Sequence, residues 1–266
     1  MNPGARSPVR QPVLFFGHGS PMNAIEDNPW SRGFRAIGSS LSRPRAILSV
    51  SAHWYLPGVF LTGDEMPRTI HDFGGFPREL FQLSYPAPGS MELATRVAEL
   101  LAADEAEVTL DWGLDHGTWT VLRYLFPKAD VPVVQLSIDS RLPPAAHLAL
   151  GKKLAPLRAD GVLVMGSGNV VHNLGYALRA DLRGDRSTPT WAAWFDDEVK
   201  KAVAQGDGDR LAHLVDSEDG RLSHPTLDHY LPLLYAVGAA GESEQISFPI
   251  EGFDLGSLSM RSIHFS

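Results

Sequence analysis

The chain has 266 residues, a net charge of −8 and no cysteine. That length accommodates one large α/β domain or two small ones, and the charge argues against nucleic acid or an anionic membrane surface as a partner. Without cysteine there is no disulfide scaffold, thiol nucleophile, zinc ribbon or iron–sulfur cluster, so any metal must be held by nitrogen and oxygen.

Residues 1–11 read as a flexible tail with no apolar stretch behind the arginines, hence no signal peptide. One domain is expected over residues 12–266. Val13 to Phe16 is a short apolar strand, Trp30 to Leu41 a helix, Ala46 to Val50 a second buried strand and Gly58 to Thr62 a third. A Gly- and Pro-rich loop runs from Asp64 to Pro88, and a loop of that length is more often functional than idle. Ser90 caps a helix to Ala103, and a shorter helix covers Thr118 to Phe126. Pro132 to Ser137 and Gly161 to Met165 are strands, with a helix from Ala145 to Leu157 between them. Helices follow at Trp191 to Ala204 and Thr226 to Val237, then an alternating strand from Leu258 to Phe265. Residues 181–189 and 206–220 read as polar surface excursions.

Alternating strands and helices imply a single α/β domain. A central, mostly parallel sheet is flanked by helices, and ligands gather at the carboxyl ends of the strands. No run reaches the ~18–20 apolar residues of a membrane span, and the expected location is the cytoplasm. No periodic surface stripe indicates an oligomeric state.

Four histidines stand in short segments rich in small residues, three of them just after apolar runs: His18 in Gly17-His18-Gly19-Ser20, His53 in Ser51-Ala52-His53-Trp54, His172 in Gly168-Asn169-Val170-Val171-His172, and His229 in Pro225-Thr226-Leu227-Asp228-His229. Imidazole is the commonest metal-binding side chain near neutral pH. A lone histidine near a strand end is usually a hydrogen-bonded core residue. Several delivered to strand ends in one fold point instead to a shared metal site. Asp115-His116-Gly117 offers a fifth imidazole, either an acid–base group or part of a capped helix start. His71-Asp72 reads as a loop turn rather than a carboxylate–histidine pair. Gly166-Ser167-Gly168-Asn169 lacks the lysine of a phosphate loop, and Gly19-Ser20 lacks the frame of a nucleophile elbow.

Together these segments resemble the class III (LigB-type) extradiol ring-cleavage dioxygenases, in particular the 4,5-DOPA dioxygenase subgroup. The matching stretches include Gly17-His18-Gly19-Ser20-Pro21-Met22, Ser49-Val50-Ser51-Ala52-His53-Trp54, Thr69-Ile70-His71-Asp72-Phe73-Gly74-Gly75-Phe76-Pro77, Gly113-Leu114-Asp115-His116-Gly117-Thr118-Trp119, Gly168-Asn169-Val170-Val171-His172-Asn173-Leu174 and His229-Tyr230-Leu231-Pro232-Leu233-Leu234-Tyr235. They run in order from about Pro12 to the end. The resemblance implies a mononuclear non-haem metal, Fe²⁺ in the active dioxygenase, with Zn²⁺ also accommodated in the same site. It implies His18, His53 and His229 as ligands, with His172 at or near the metal as ligand or base. His116 and His172 are the catalytic candidates, and Ser20, Trp54 and Asn169 candidate substrate contacts. The implied partners are a small-molecule catechol such as DOPA and O₂.

Members of this class are usually described with two histidines and one carboxylate, whereas here His229 follows Asp228 directly. Adjacent helical residues point about 100° apart, so one of the two is expected to ligate, and His229 is taken as that one. Alternatives on the same scaffold are a zinc-dependent hydrolase with His116 as acid and a non-catalytic metal-binding protein.

Overall fold

A computed structural model of the chain describes residues 9–241 and 244–266. Residues 1–8 of the expected tail lie outside the described residues. At its end Gln11 is buried, and its backbone N–H donates to the Arg158 carbonyl at 3.0 Å.

Eight strands build the main sheet: β1 (Val13–Gly17), β2 (Ala46–Leu56), β3 (Phe60–Thr62), β4 (Glu107–Thr109), β5 (Val133–Asp139), β6 (Val162–Gly168), β7 (Ile246–Ile250) and, last in the chain, β10 (Ser262–Phe265). Their order across the sheet is β4-β3-β5-β2-β6-β1-β10-β7. A separate two-stranded ribbon joins β8 (Phe253–Asp254) to β9 (Leu258–Ser259). The central strands β5, β2, β6 and β1 are mutually parallel. Antiparallel pairings enter on both flanks, β10 on β1 and β3 on β5.

The central strands are apolar on both sides because both faces are covered. Successive side chains point to opposite faces of a strand. Val13 and Phe15 accordingly join one core, with residues of the helices Met91–Leu100, Pro144–Leu154, Thr190–Ala204 and Leu231–Ala240. Leu14 and Phe16 join the other, with Phe34 and Ile37 of the helix Pro29–Ser40 and Trp119 and Leu122 of the helix His116–Leu125.

Three differences from the sequence expectations matter. β2 runs six residues further than its apolar stretch, to Leu56, and its register against β5 shifts between Val50 and Tyr55. Such a bulge re-aims side chains, and His53 lies within it. The expected helix at Thr226 begins only at Leu231, with Pro232 in its first turn. Proline is tolerated there but would break the interior of a longer helix. His229 therefore sits in a turn, not on a helix. Finally, residues 206–220 are not a plain surface excursion: helices form at Gly208–Leu214 and Glu218–Ser223, capped by Asp207 and Ser217, and Leu211 is buried.

Candidate metal centre

The parallel strands deliver the histidines to one place. His18 follows the last residue of β1, and its N–H donates to the Gly168 carbonyl at 2.9 Å, extending the ladder to β6. His116 opens the helix His116–Leu125 behind its cap Asp115. The carbonyl of His229 accepts the Asn169 N–H at 2.9 Å, just past the end of β6. This contact needs Gly168, since a Cβ there would collide with that same carbonyl. Gly117 is similarly required: a Cβ would lie 2.5 Å from Ser51 Oγ and 3.0 Å from His53 Cδ2.

Hydrogen bonds assign the tautomers. Ser167 Oγ donates to the Gly117 carbonyl at 2.5 Å, so toward His18 it can only accept, and His18 Nδ1 at 3.0 Å carries the proton. His53 Nδ1 lies 3.2 Å from Asp72 Oδ2, and His116 Nδ1 lies 2.9 Å from the same oxygen. His229 Nδ1 lies 2.5 Å from Asp228 Oδ2. In His18, His116 and His229 the Nδ1–H is hydrogen-bonded and Nε2 is left with a bare lone pair, whereas His53 Nδ1 only faces the Asp72 carboxylate as a charge contact. The Nε2 atoms of His18 and His53 face each other at 3.1 Å. With both nitrogens bare their lone pairs would repel at that distance, so the pair either takes a cation between them or holds one proton, donated by His53 Nε2 to His18.

The rings of His18, His53 and His229 are also uncharged. Burial, reinforced by the neighbouring histidines, holds His18 and His229 well below the ordinary imidazole value. Burial likewise brings His53 down to about 3, against the opposing pull of Asp72. Burial pushes Asp72 up, but the hydrogen bonds from the His116 side chain and backbone, with the electrostatic pull of the two neighbouring imidazoles, outweigh it and leave the carboxyl at about 2. Neutral imidazoles backed by carboxylates are the form that binds a cation, and such backing strengthens the ligand.

Ring-centre spacing fits a common ion for His18, His53 and His229, while the ring nitrogens grouped within 4.8 Å of one another are those of His18, His53 and His116. An imidazole held through Nε2 at about 2.1 Å has its ring centre about 3.2 Å from the metal, so two such rings near a tetrahedral angle stand about 5.2 Å apart. The ring centres of His18, His53 and His229 are separated by 5.1, 5.3 and 5.0 Å. His116 completes a tighter group: one ring nitrogen from each of His18, His53 and His116 lies within 4.8 Å of the others. Its ring centre is only 3.9 Å from that of His53. His172 lies face to face with His229, centres 3.5 Å apart and planes 4° from parallel. Lone pairs lie in the ring plane, so two rings stacked in this way do not aim at one ion.

The candidate substrate contacts are dispersed. Ser20 Oγ accepts from Met22 N–H at 3.2 Å and caps the turn Pro21–Ala24. Asn169 is buried and donates to the Ser259 carbonyl at 2.8 Å. Trp54 stacks on Trp112, centres 5.5 Å apart, and the two line a cleft of about 330 Å³ with His53, Tyr55, Phe60 and Asp111. Phe73 meets His116 edge-on at 5.4 Å. A larger cleft of about 640 Å³ lies beside Ala46 and Val162 at the amino ends of the strands, the end opposite the histidines.

Three anchoring groups escaped the sequence reading. Asp72 pairs with His116 and His53, not with His71, whose ring nitrogen reaches the Leu83 carbonyl at 3.0 Å. Ser167 anchors His18, and Asp228 serves His229 by hydrogen bonding. The only signal in the sequence was a carboxylate beside a histidine in His71-Asp72 and Asp228-His229.

The family described as the catalytic LigB subunit of aromatic ring-opening dioxygenase matches residues 12–255. The chain belongs to the LigB family. It is 51% identical over 263 residues to the 4,5-DOPA dioxygenase extradiol of Escherichia coli K12, covering 97% of this chain and 95% of that protein. It is 37% identical to the protein of the same name from Beta vulgaris, covering 96% of each. A crystal structure of an uncharacterized protein from Escherichia coli K12 superposes with a TM-score of 0.84 at 45% identity, covering 97% of this chain and all of that one. LigB membership makes the chain an aromatic ring-opening dioxygenase of the extradiol class, ahead of the hydrolase and non-catalytic alternatives. No described helix is long and apolar enough to cross a membrane.

Proposed function

We propose that this extradiol dioxygenase opens the ring of a DOPA-like catechol by 4,5-cleavage, inserting both atoms of O₂ at a single Fe²⁺ held by His18, His53 and His229. The observation that carries the metal is the pair of Nε2 atoms of His18 and His53 facing each other 3.1 Å apart, with the His18 Nδ1 proton engaged by Ser167 and His53 Nδ1 turned to the Asp72 carboxylate. An all-imidazole set accepts Zn²⁺ as readily as Fe²⁺. When bound, ferrous iron supplies Lewis acidity toward the catechol oxygens and the one-electron chemistry toward O₂ that zinc lacks.

The chain's own residues handle the protons and the ring. His116 Nε2 is a bare acceptor beside the cluster, backed at Nδ1 by the Asp72 carboxylate, and is suited to take a catechol proton. His172 is the second acid–base candidate: its stacked ring stays free of the ion, and burial brings it down to about 4, so it too is a neutral acceptor. Phe73 gives the aromatic substrate an apolar edge over His116. The cleft at Trp54 and Tyr55 is open for a ring substituent.

The test is oxygen uptake by protein reconstituted anaerobically with Fe²⁺ and then given DOPA in air. Uptake with a yellow semialdehyde product is expected, and Zn²⁺-loaded protein should give neither. Silence of the Fe²⁺ form across a panel of catechols would overturn the reading.

A further inference from the structure

Asp72 occupies an unusual position in the site. Its Oδ2 accepts from His116 Nδ1 at 2.9 Å and lies 3.2 Å from His53 Nδ1 in a charge contact, while its Oδ1 accepts the backbone N–H of His116 at 2.9 Å. The loop carrying it is pinned beside the helix that begins at His116. Ile70 N–H donates to the Leu114 carbonyl at 2.7 Å, Leu114 N–H to the Arg68 carbonyl at 2.9 Å, and Trp119 Nε1 to the Ile70 carbonyl at 2.9 Å. Asp72 is therefore delivered by a braced segment, and its side chain is largely buried, 16% exposed.

We propose that Asp72 is a positioning residue that serves two histidines of different function through one oxygen. Toward His53 its negative charge, 3.2 Å from Nδ1, favours the proton there and leaves Nε2 for the metal. Toward His116 it holds the same tautomer and leaves Nε2 as a proton acceptor, the relation that a buried aspartate has to the histidine of a serine-protease triad. The metal ligand and the acid–base group thus share a single orienting contact, so their geometries are set together.

The substitution Asp72→Asn keeps the shape but replaces one acceptor with an NH₂ group. Whichever way the amide turns, it presents that NH₂ either to the two Nδ1–H groups or to the His116 backbone N–H, and a donor meets a donor. Three measurements test the proposal. Chelator competition with Zn²⁺, a redox-silent probe, should give a Kd raised by about 10–100-fold in D72N, and raised as much in a His116→Ala background, because that effect runs through His53. Turnover at saturating Fe²⁺ should fall in D72N but not fall further when D72N is added to H116A, because that effect runs through His116. Imidazole ¹⁵N shifts of the unaltered Zn²⁺-loaded protein should show Nδ1–H in both His53 and His116.

A Zn²⁺ Kd within about twofold of the parent, a rate loss that adds fully to that of H116A, or Nε2–H in either ring overturns the proposal. Should D72N fail to fold by circular dichroism, Asp72→Glu replaces it in the affinity arm, where a small loss is expected. The ¹⁵N pattern then decides without any variant. The rate arm rests on the ring-cleavage reading, whereas the affinity and tautomer arms do not. An inactive protein with the zinc linkage intact would count against that reading and leave the role of Asp72 standing.

Discussion

The imidazoles of His172 and His229 lie in parallel planes with their centres 3.5 Å apart. Only one of two rings so placed can point its lone pair at a given ion. His229 is the one with a carboxylate on its Nδ1 and with ring spacings to His18 and His53 that suit chelation. His229→Ala should therefore lose stoichiometric metal. His172→Ala should retain it and lose rate by about 10²–10⁴-fold, the usual range for a missing acid–base group. Metal content by atomic absorption, set beside turnover at saturating Fe²⁺, separates the two.

Ser167 fixes His18 by accepting its Nδ1–H while donating to Gly117. Ser167→Ala removes that acceptor and frees the ring to adopt the other tautomer. Metal affinity is expected to fall by about 10–100-fold, with the thermal midpoint falling only modestly. His18→Ala should abolish stoichiometric binding altogether. Equilibrium dialysis with Zn²⁺ checks both, and full metal content in His18→Ala would refute the ligand assignment.

Gly168 lets the turn bearing His229 lie directly on the end of β6. Gly168→Ala forces a methyl group against that carbonyl. A loss of about 1–3 kcal/mol is expected from the overpacking, together with weakened metal binding as His229 is displaced. Urea denaturation and metal titration of the same sample provide the comparison. Gly184→Ala is the control for substitution itself in a turn, since that glycine has open space around it, though its positive φ of 70° adds strain of its own.

Far from the metal, Glu244 accepts from Arg158 and Arg10, and those hydrogen bonds hold its carboxyl down at about 2 from an ordinary 4.5. A carboxyl with a lower value in the folded than in the unfolded state stabilises the fold above the unfolded value. That contribution fades as pH falls from about 4.5 toward 2. Glu244→Gln should lower stability near neutrality by roughly 2–4 kcal/mol, because Arg158, 1% exposed, loses its counter-charge. The deficit should shrink toward pH 2. Urea midpoints of both proteins across that range give the measurement, and parallel curves would refute the linkage.

The apolar runs at Val13, Ala46, Pro132 and Gly161 marked the four parallel strands, because strands covered on both faces must be hydrophobic throughout. The later part of β2 carries Ser51, His53 and Tyr55, and its strand character comes from pairing across a bulge, which no local pattern reveals. The helix start at Leu231 was legible in Pro232 and was overridden by the apolar spacing upstream. His18, His53, His116 and His172 could be picked out by the small residues in their segments, and His229 by the His224-Pro225 turn before it and by its place in the family pattern. Their supports could not, since Ser167 lies 149 residues from His18 and Asp72 lies 44 from His116. Those hydrogen bonds exist only once the sheet has assembled.

Strand β2 pairs with β6 as far as Ser51 and rejoins β5 only at Tyr55. The span from Ala52 to Trp54 thus lacks ladder partners on both neighbours, between the paired lengths of the same strand. Amide exchange should be quicker there than at Leu48 or Val50 on the same strand. His53 rides on a span without ladder partners on either side, so it has room to follow changes around the ion while the neighbouring strands keep their place.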